Sequence, residues 1–311
     1  MTKKVSNKSQ VTEFLILGLS DSLELKVPLF LLFLLIYLIT MLSNFVIITL
    51  ICLDSHLQKP MYFFLCNMSF LDIFYTTVTT PNLLYNIISG DQRISFKGCM
   101  TQLFFFNSFG SMEYMLLTAM AYDRYIAICH PFSYKLLMNA RACQLLAVTA
   151  WFAGFLAAVP LSVQISSLTY CSSNKINHFF CDLTALLKLA CDDTSSTELI
   201  VFSEGLLIVL NCFLLTFASY VQIISAILML GSSENRFKAF STCGSHLTVV
   251  TLFYVMIVCL YMKPTSSYSL QEAKVLSVLY VNIVPMLNPI IYSLRNKDVK
   301  KALERCTRCY W

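Results

Sequence analysis

Long apolar stretches separated by short polar ones dominate this chain. Runs free of Lys and Arg extend from Val27 to Leu53, Met61 to Gly90, Gly98 to Tyr122, Ala142 to Asn174, Leu199 to Ser233, Ala239 to Met262 and Val275 to Leu294. Each reaches the roughly 20 residues that a helix needs to cross a bilayer core. None alternates as barrel strands do, and backbone groups in lipid must be satisfied within a helix or a closed barrel, so strands are not expected. The pattern predicts an all-α membrane protein built as one domain, a seven-transmembrane helix bundle. Residues 1–26 are expected as an exposed N-terminus, 27–294 as the bundle and 295–311 as a tail. Within that tail, Asp298 to Leu303 predicts a short amphipathic helix lying on the membrane.

Composition points the same way. Of 311 residues 57% are hydrophobic and 13% charged, with a mean hydropathy of +0.69, which excludes an ordinary soluble domain. Sidedness comes from weaker signals. The tail carries Arg295, Lys297, Lys300, Lys301, Arg305 and Arg308, a denser basic group than Lys3, Lys4, Lys8 and Lys26, and one suited to the anionic cytoplasmic leaflet. Asn7-Lys8-Ser9 is a glycosylation sequon that is usable at Asn7 only if the N-terminus is extracellular, whereas Asn67-Met68-Ser69 lies inside an apolar run and reads as unused. No apolar core of a signal peptide precedes Val27, so the first helix is expected to be an uncleaved anchor. This orientation leaves Cys99, Cys171, Cys181 and Cys191 of the 13 cysteines in the oxidising compartment, where four thiols allow three pairings. Cys306-Thr307-Arg308-Cys309 falls short of the four ligands of a structural zinc site, and is a weak palmitoylation candidate.

Polar residues inside the runs are the candidates for chemistry. Asp72 stands twelve residues past Pro60, about 18 Å into the bilayer, and Glu113 eleven residues before Arg124, about 16 Å. Two carboxylates at similar depth can share a sodium ion or a proton; a watered polar network that serves packing alone is the alternative. Phe106, Asn107, Gly110 and Ser111 are spaced to share one helix face about 20 Å above Arg124, as either a small-molecule pocket or ordinary packing. Glu204 is shallow enough to snorkel outward; turned inward, it favours polar or amine-bearing ligands. Pro289 removes a backbone bond and kinks its helix, and Asn288 is placed to satisfy the freed groups. Asn44 reads as a helix-to-helix hydrogen bond and Trp151 as a packing residue.

Several phrases are more specific than any of these residues singly. Met120-Ala121-Tyr122-Asp123-Arg124-Tyr125 closes the third run, and Lys238-Ala239-Phe240-Ser241-Thr242-Cys243-Gly244-Ser245-His246 opens the sixth. Leu57-Gln58-Lys59-Pro60-Met61-Tyr62-Phe63-Phe64-Leu65 opens the second, and Pro285-Met286-Leu287-Asn288-Pro289-Ile290-Ile291-Tyr292 closes the seventh. With Val11-Thr12-Glu13-Phe14 and Ile176-Asn177-His178-Phe179-Phe180-Cys181-Asp182, these are in the order and form of olfactory receptors, a branch of the rhodopsin-like G-protein-coupled receptors that this chain resembles over residues 11 to 296. Departures are Ser43 for the usual Gly, Gln58 for His, Thr184 and Ala185 for prolines, and Val255 for the Gly after Phe253-Tyr254.

The resemblance implies disulfides Cys99–Cys181 and Cys171–Cys191. It implies an odorant site lined by Phe106, Asn107, Gly110, Ser111, Tyr254, Ile257 and Tyr261, with Tyr254 in the place of the switch tryptophan of other receptors. It also implies a coupling switch of Asp123, Arg124, Tyr125, Tyr220, His246, Asn288, Pro289 and Tyr292, and an ion site for sodium at Asp72 and Glu113. The function implied is binding of small, mostly apolar volatile molecules and activation of a stimulatory olfactory heterotrimeric G protein, raising cyclic AMP at the plasma membrane. A rhodopsin-like receptor for a non-odorant small molecule is the runner-up. A transporter or channel should show interrupted helices or inverted repeats. An enzyme would need a paired nucleophile and base or a metal cluster, which four scattered histidines do not offer. Beyond the ion, the expected partners are odorant, G protein and membrane lipid, with neither cofactor nor nucleic acid.

Overall fold

The computed structural model describes residues 11–19, 22–171, 173–229, 231–261 and 270–308. Its long helices are α1 (Leu23–Leu53), α2 (Pro60–Ser89), α3 (Phe96–Cys129), α4 (Ala140–Ser167), α5 (Ser195–Leu228) and α6 (Ser233–Tyr261). Leu270–Val278, Leu279–Ile283 and Val284–Arg295 run on as α7, and Lys297–Arg308 forms α8. Together α1 to α7 make the seven-transmembrane bundle, with α8 leaving it as the tail helix. The sequence expected that tail helix to span only Asp298 to Leu303; the structure extends it at both ends.

Local chemistry sets the helix ends. Pro60 opens α2, where its missing N–H would have had no partner anyway. Gly90, at a φ of 70°, closes the same helix in the left-handed region. The Ser95 hydroxyl accepts from the Gly98 N–H at 3.1 Å to cap α3, and the Asn139 amide oxygen accepts from Ala142 N–H at 3.0 Å to cap α4.

Burial separates inner from outer helices. In α1 one stripe is buried, Phe33, Ile36, Thr40, Asn44, Ile47 and Leu50, while Leu31, Leu35, Leu38 and Leu42 are exposed. On α4 the exposed face is Leu145, Val148, Phe152, Leu156, Val159 and Val163. An apolar surface that continuous fits lipid and not water. By contrast α3 is buried over most of its length, from Cys99 to Ile126, and it packs along α2, α4 and α5. On composition α1, α2, α4, α5 and Lys274–Tyr292 of α7 can cross a membrane. The remaining spans, α3 and α6, carry more of the polar groups described below.

At Gly154, α4 packs closely on α3. A methyl group there would stand 2.4 Å from Cγ of Met112 and 2.9 Å from the Ser108 carbonyl oxygen, a backbone atom that cannot swing aside. Gly154→Ala should therefore push α3 and α4 apart at a cost of about 1–3 kcal/mol. The expected result is a several-fold loss of surface receptor by antibody staining, while Gly205→Ala, which meets nothing within 4 Å, stays near wild type.

Pro289 leaves the Pro285 carbonyl without its helical donor. Asn288 was expected to compensate; instead the Asn44 side-chain amide of α1 donates to that carbonyl at 3.3 Å, and Asn288 turns to Asp72. The tail helix α8 is tied to the α1–α2 turn twice, by Arg305 to Asp54 at 2.5 Å and Lys59 to Asp298 at 2.9 Å. The Arg305 hydrogen bond holds the Asp54 carboxyl down at about 2, and Lys59 lowers that of Asp298. Both pairs are thus complete above the ordinary carboxylate value of about 4, and the Asp54 pair is lost only as pH falls through about 2.

Strands were not expected, and the end of the bundle nearest the N-terminal segment has three short ones. The N-terminal β1 (Glu13–Ile16) pairs antiparallel with β2 (Arg93–Ser95) and parallel with β3 (Lys175–Ile176). They lie outside the long helices, so the rule that excludes open strands from lipid does not reach them. Phe14, fully buried, packs its ring on Phe96 at 5.9 Å and Tyr170 at 5.2 Å. Residues 11–19 are therefore part of the folded outer cap, a correction to the exposed terminus expected for 1–26. Asn7 lies outside the described residues.

Candidate functional site

Disulfides fix the roof of the bundle. Cys99 at the head of α3 is bonded to Cys181, with Cα atoms 5.5 Å apart, and Cys171 to Cys191 at 6.1 Å. Gln102, one turn below Cys99, accepts from the Cys181 N–H at 2.9 Å and donates to the Val78 carbonyl at 2.9 Å. The segment His178-Phe179-Phe180 is thereby pressed onto α3. Burial pushes the His178 imidazole below its ordinary value, and nearby Lys274 acts in the same direction.

Beneath this roof runs a continuous line of aromatic contacts. Phe180 meets Phe106 at 4.7 Å, Phe106 stacks on Tyr75 at 5.0 Å, and Tyr75 meets Tyr280 at 5.8 Å. Tyr280 continues to Phe253 at 5.8 Å, Phe253 to Tyr114 at 4.9 Å, Tyr114 to Tyr254 at 6.2 Å, and Tyr254 to Phe213 at 5.2 Å. This line links the outer loop with α2, α3, α5, α6 and α7. Gly110 lies inside it, the position of a built Cβ being 3.6 Å from the Tyr280 hydroxyl. Asn107, Gly110 and Ser111 are half-buried on the α3 face that leads down to Tyr114. Asn107 Nδ2 and the Tyr254 hydroxyl are buried with no hydrogen-bond partner among the described residues. Ile257 and Tyr261 have side chains outside the described residues. Tyr75, Tyr114, Phe180, Phe213, Phe253 and Tyr280 were not singled out from sequence as site residues. The only signal for them is their richness in aromatics, which apolar cores share.

Below the rings, Thr118 of α3 and Thr216 of α5 join hydroxyls at 3.2 Å. Asp72 and Glu113 are each 3% exposed. Asn288 Nδ2 donates to both Asp72 oxygens at 3.2 Å, and Glu113 Oε1 has no partner among the described residues. Buried oxygen donors with an unspent carboxylate suit a small hard cation or a shared proton.

At the other end of the bundle, polar side chains tie the helix ends together. Arg124 Nε donates to Asp123 Oδ2 at 3.0 Å, a second guanidinium nitrogen contacts the same oxygen, and the Tyr134 hydroxyl donates to Asp123 Oδ1 at 2.8 Å. Tyr220 is held by His246, hydroxyl to Nδ1 at 2.5 Å, so α5 and α6 are joined beside α3. Tyr292 is buried with its hydroxyl unpartnered among the described residues, and Tyr125 points away to His130 at 3.0 Å. Of the residues assigned to the switch, Tyr125 thus stands apart from the Asp123–Arg124 pair, and Tyr134 joins it without having been foreseen.

A groove of about 330 Å³ opens elsewhere, on the lipid side between α2 and α4, beside Trp151 and Asn67. The Trp151 ring N–H donates to Asn67 Oδ1 at 3.1 Å, which occupies the side chain of the sequon read as unused.

The architecture is that of a rhodopsin-like seven-helix receptor: squid rhodopsin superposes with a TM-score of 0.67, covering 92% of this chain and 86% of its own at 17% identity. Residues 33–308 match the olfactory receptor family model. Olfactory receptor 5AP2 of Mus musculus is 48% identical, over 98% of this chain and 96% of its own length. The Homo sapiens olfactory receptor 5AP2 is 48% identical over 96% and 95%, and the Homo sapiens olfactory receptor 6Y1 45% over 98% and 94%. The chain belongs to the olfactory receptor family, and is a G-protein-coupled signalling receptor in a membrane, not an enzyme.

Proposed function

We propose that this receptor binds small, mostly apolar odorants among the rings below the outer loop and activates a stimulatory olfactory G protein, raising cyclic AMP. The observation that carries the reading is the aromatic line through Tyr254 to Phe213, with the Tyr254 hydroxyl buried and without a hydrogen-bond partner among the described residues. A ligand that enters there changes contacts on α3, α5, α6 and α7 together. If it binds the inner-open state better, populations shift toward that state, α6 leaves α3, and Arg124 is released from Asp123 toward Tyr220 and the G protein. In this reading the N-terminus, with Asn7, is extracellular at the plasma membrane, 1–26 precedes the bundle of 27–294, and 295–311 is cytoplasmic.

Tyr254→Phe tests the site. It deletes one unspent hydroxyl, so surface staining should hold while the half-maximal concentration for an oxygen-bearing odorant rises about tenfold, the loss of one good hydrogen bond. An unchanged dose response would remove Tyr254 from the site.

Sodium between Asp72 and Glu113 would stabilise the closed state by neutralising two buried carboxylates. Asp72→Asn is then expected to abolish any change in dose response between sodium and choline media. Equal sodium dependence in wild type and variant would leave the pair holding a proton only.

A further inference from the structure

Depth alone leaves Glu204 free to snorkel toward water or to turn inward, and the structure turns it inward. The residues around it on α5 define the inward face: Val201 packs on the outer apolar cluster under the sheet, Ile208 on the main core, and Phe202, Leu206 and Leu207 are exposed on the opposite side. Glu204 is half-buried between them, with Oε1 sealed from solvent and unpartnered among the described residues. The backbone changes here as well. Gly205–Leu210 is a π-helical turn, whose extra residue re-aims the side chains beside it, and a Cβ at Gly205 would meet nothing within 4 Å. This turn packs against α3. On α3, Asn107 stands at the same seam between the outer cluster (Leu103) and the main core (Phe106, Phe109), and its Nδ2 is also unspent.

A carboxylate among apolar walls, with one oxygen shut off from water and no cation paired with it among the described residues, is held far less favourably than in solvent; a cation brought by a ligand is the partner that restores it. A neutral alcohol gains much less there, because charge-assisted hydrogen bonds are about twice as strong as neutral ones. We infer that the odorant site prefers a small molecule with an apolar body and one basic amine, its ammonium pairing with Glu204 while the body lies against the rings of α3 and α6. The inference rests on the proposed odorant site but not on the G protein it engages.

The test uses full-length receptor and matched probes, cyclohexylamine with cyclohexanol and 2-phenylethylamine with 2-phenylethanol. Thermal unfolding of receptor in lipid nanodiscs reads binding without any G protein, and cyclic AMP in intact cells reads signalling. Each amine should raise the unfolding midpoint of the wild type more than its alcohol does. Glu204→Gln should cancel that advantage and weaken the amine response at least tenfold at equal surface staining, with alcohols within twofold. Glu204→Asp should keep part of it, which guards against a misfolded glutamine variant. Amine stabilisation without cyclic AMP would leave the amine site standing and overturn the coupling. Amines that stabilise no better than alcohols, or equally well in Glu204→Gln, would overturn the inference even if neutral odorants signal.

Discussion

Replacing Cys99 or Cys181 with serine should remove nearly all receptor from the cell surface, at least tenfold by antibody staining of intact cells. Both sulfurs are fully buried, and their bond closes a loop of 82 residues. In the chain-entropy view a loop of that length is worth about 4.5 kcal/mol, a large share of the roughly 5–15 kcal/mol that holds a fold. The bond also keeps Phe180 on Phe106 and so fixes the upper end of the aromatic line. Cys171–Cys191 spans 20 residues and closes the outer loop on itself, worth about 3.3 kcal/mol in the same view, so Cys171→Ser should cost less. Normal surface staining of Cys99→Ser and Cys181→Ser would show that packing alone holds the roof.

Arg124→Ala should abolish ligand-evoked cyclic AMP while leaving receptor at the surface. The side chain is 13% exposed, and its partner Asp123 is fully buried. Breaking one member of a buried pair is ordinarily expensive, but here Asp123 keeps the Tyr134 hydroxyl at 2.8 Å. That second partner is the reason to expect a folded, silent receptor rather than an absent one. The residue lies where α3 meets α5 and α6, which Tyr220 and His246 join, so its loss removes the group that is to leave Asp123 for Tyr220 and the G protein. Moving a receptor from about 1:99 to 99:1 takes roughly 5.5 kcal/mol of differential binding, which a ligand of few atoms supplies with difficulty. Partial activation is therefore expected of the wild type.

Much of this architecture was legible because lipid imposes a simple rule: each span must be apolar over a set length. The lipid-facing leucines of α1 and α4 carry that signal directly. The outer sheet was not legible, since strands of two to four residues have no periodicity to read, and Phe14 is ordered by Phe96 and Tyr170, far off in sequence. Asn44 illustrates the same limit. Its amide serves a carbonyl 241 residues away that exists as an orphan only because Pro289 follows it by one turn. The motifs named Asp123, Arg124 and His246, but Tyr134 reaches Asp123 through the fold of the inner loop and has no motif of its own. Rings such as Tyr75 and Tyr280 look like any other core aromatics until the helices set them side by side. Glu204 could be read either way on depth alone, and the inward stripe of α5 decided it.

The most direct measurement is cyclic AMP in cells that express the chain with the stimulatory olfactory G protein, against a diverse odorant panel, with surface staining and Arg124→Ala alongside. The account expects at least one panel member to raise cyclic AMP in a dose-dependent way, and the variant to lose that response at equal surface staining. A response of equal size in Arg124→Ala, or none from a wild type well displayed at the surface, would contradict it.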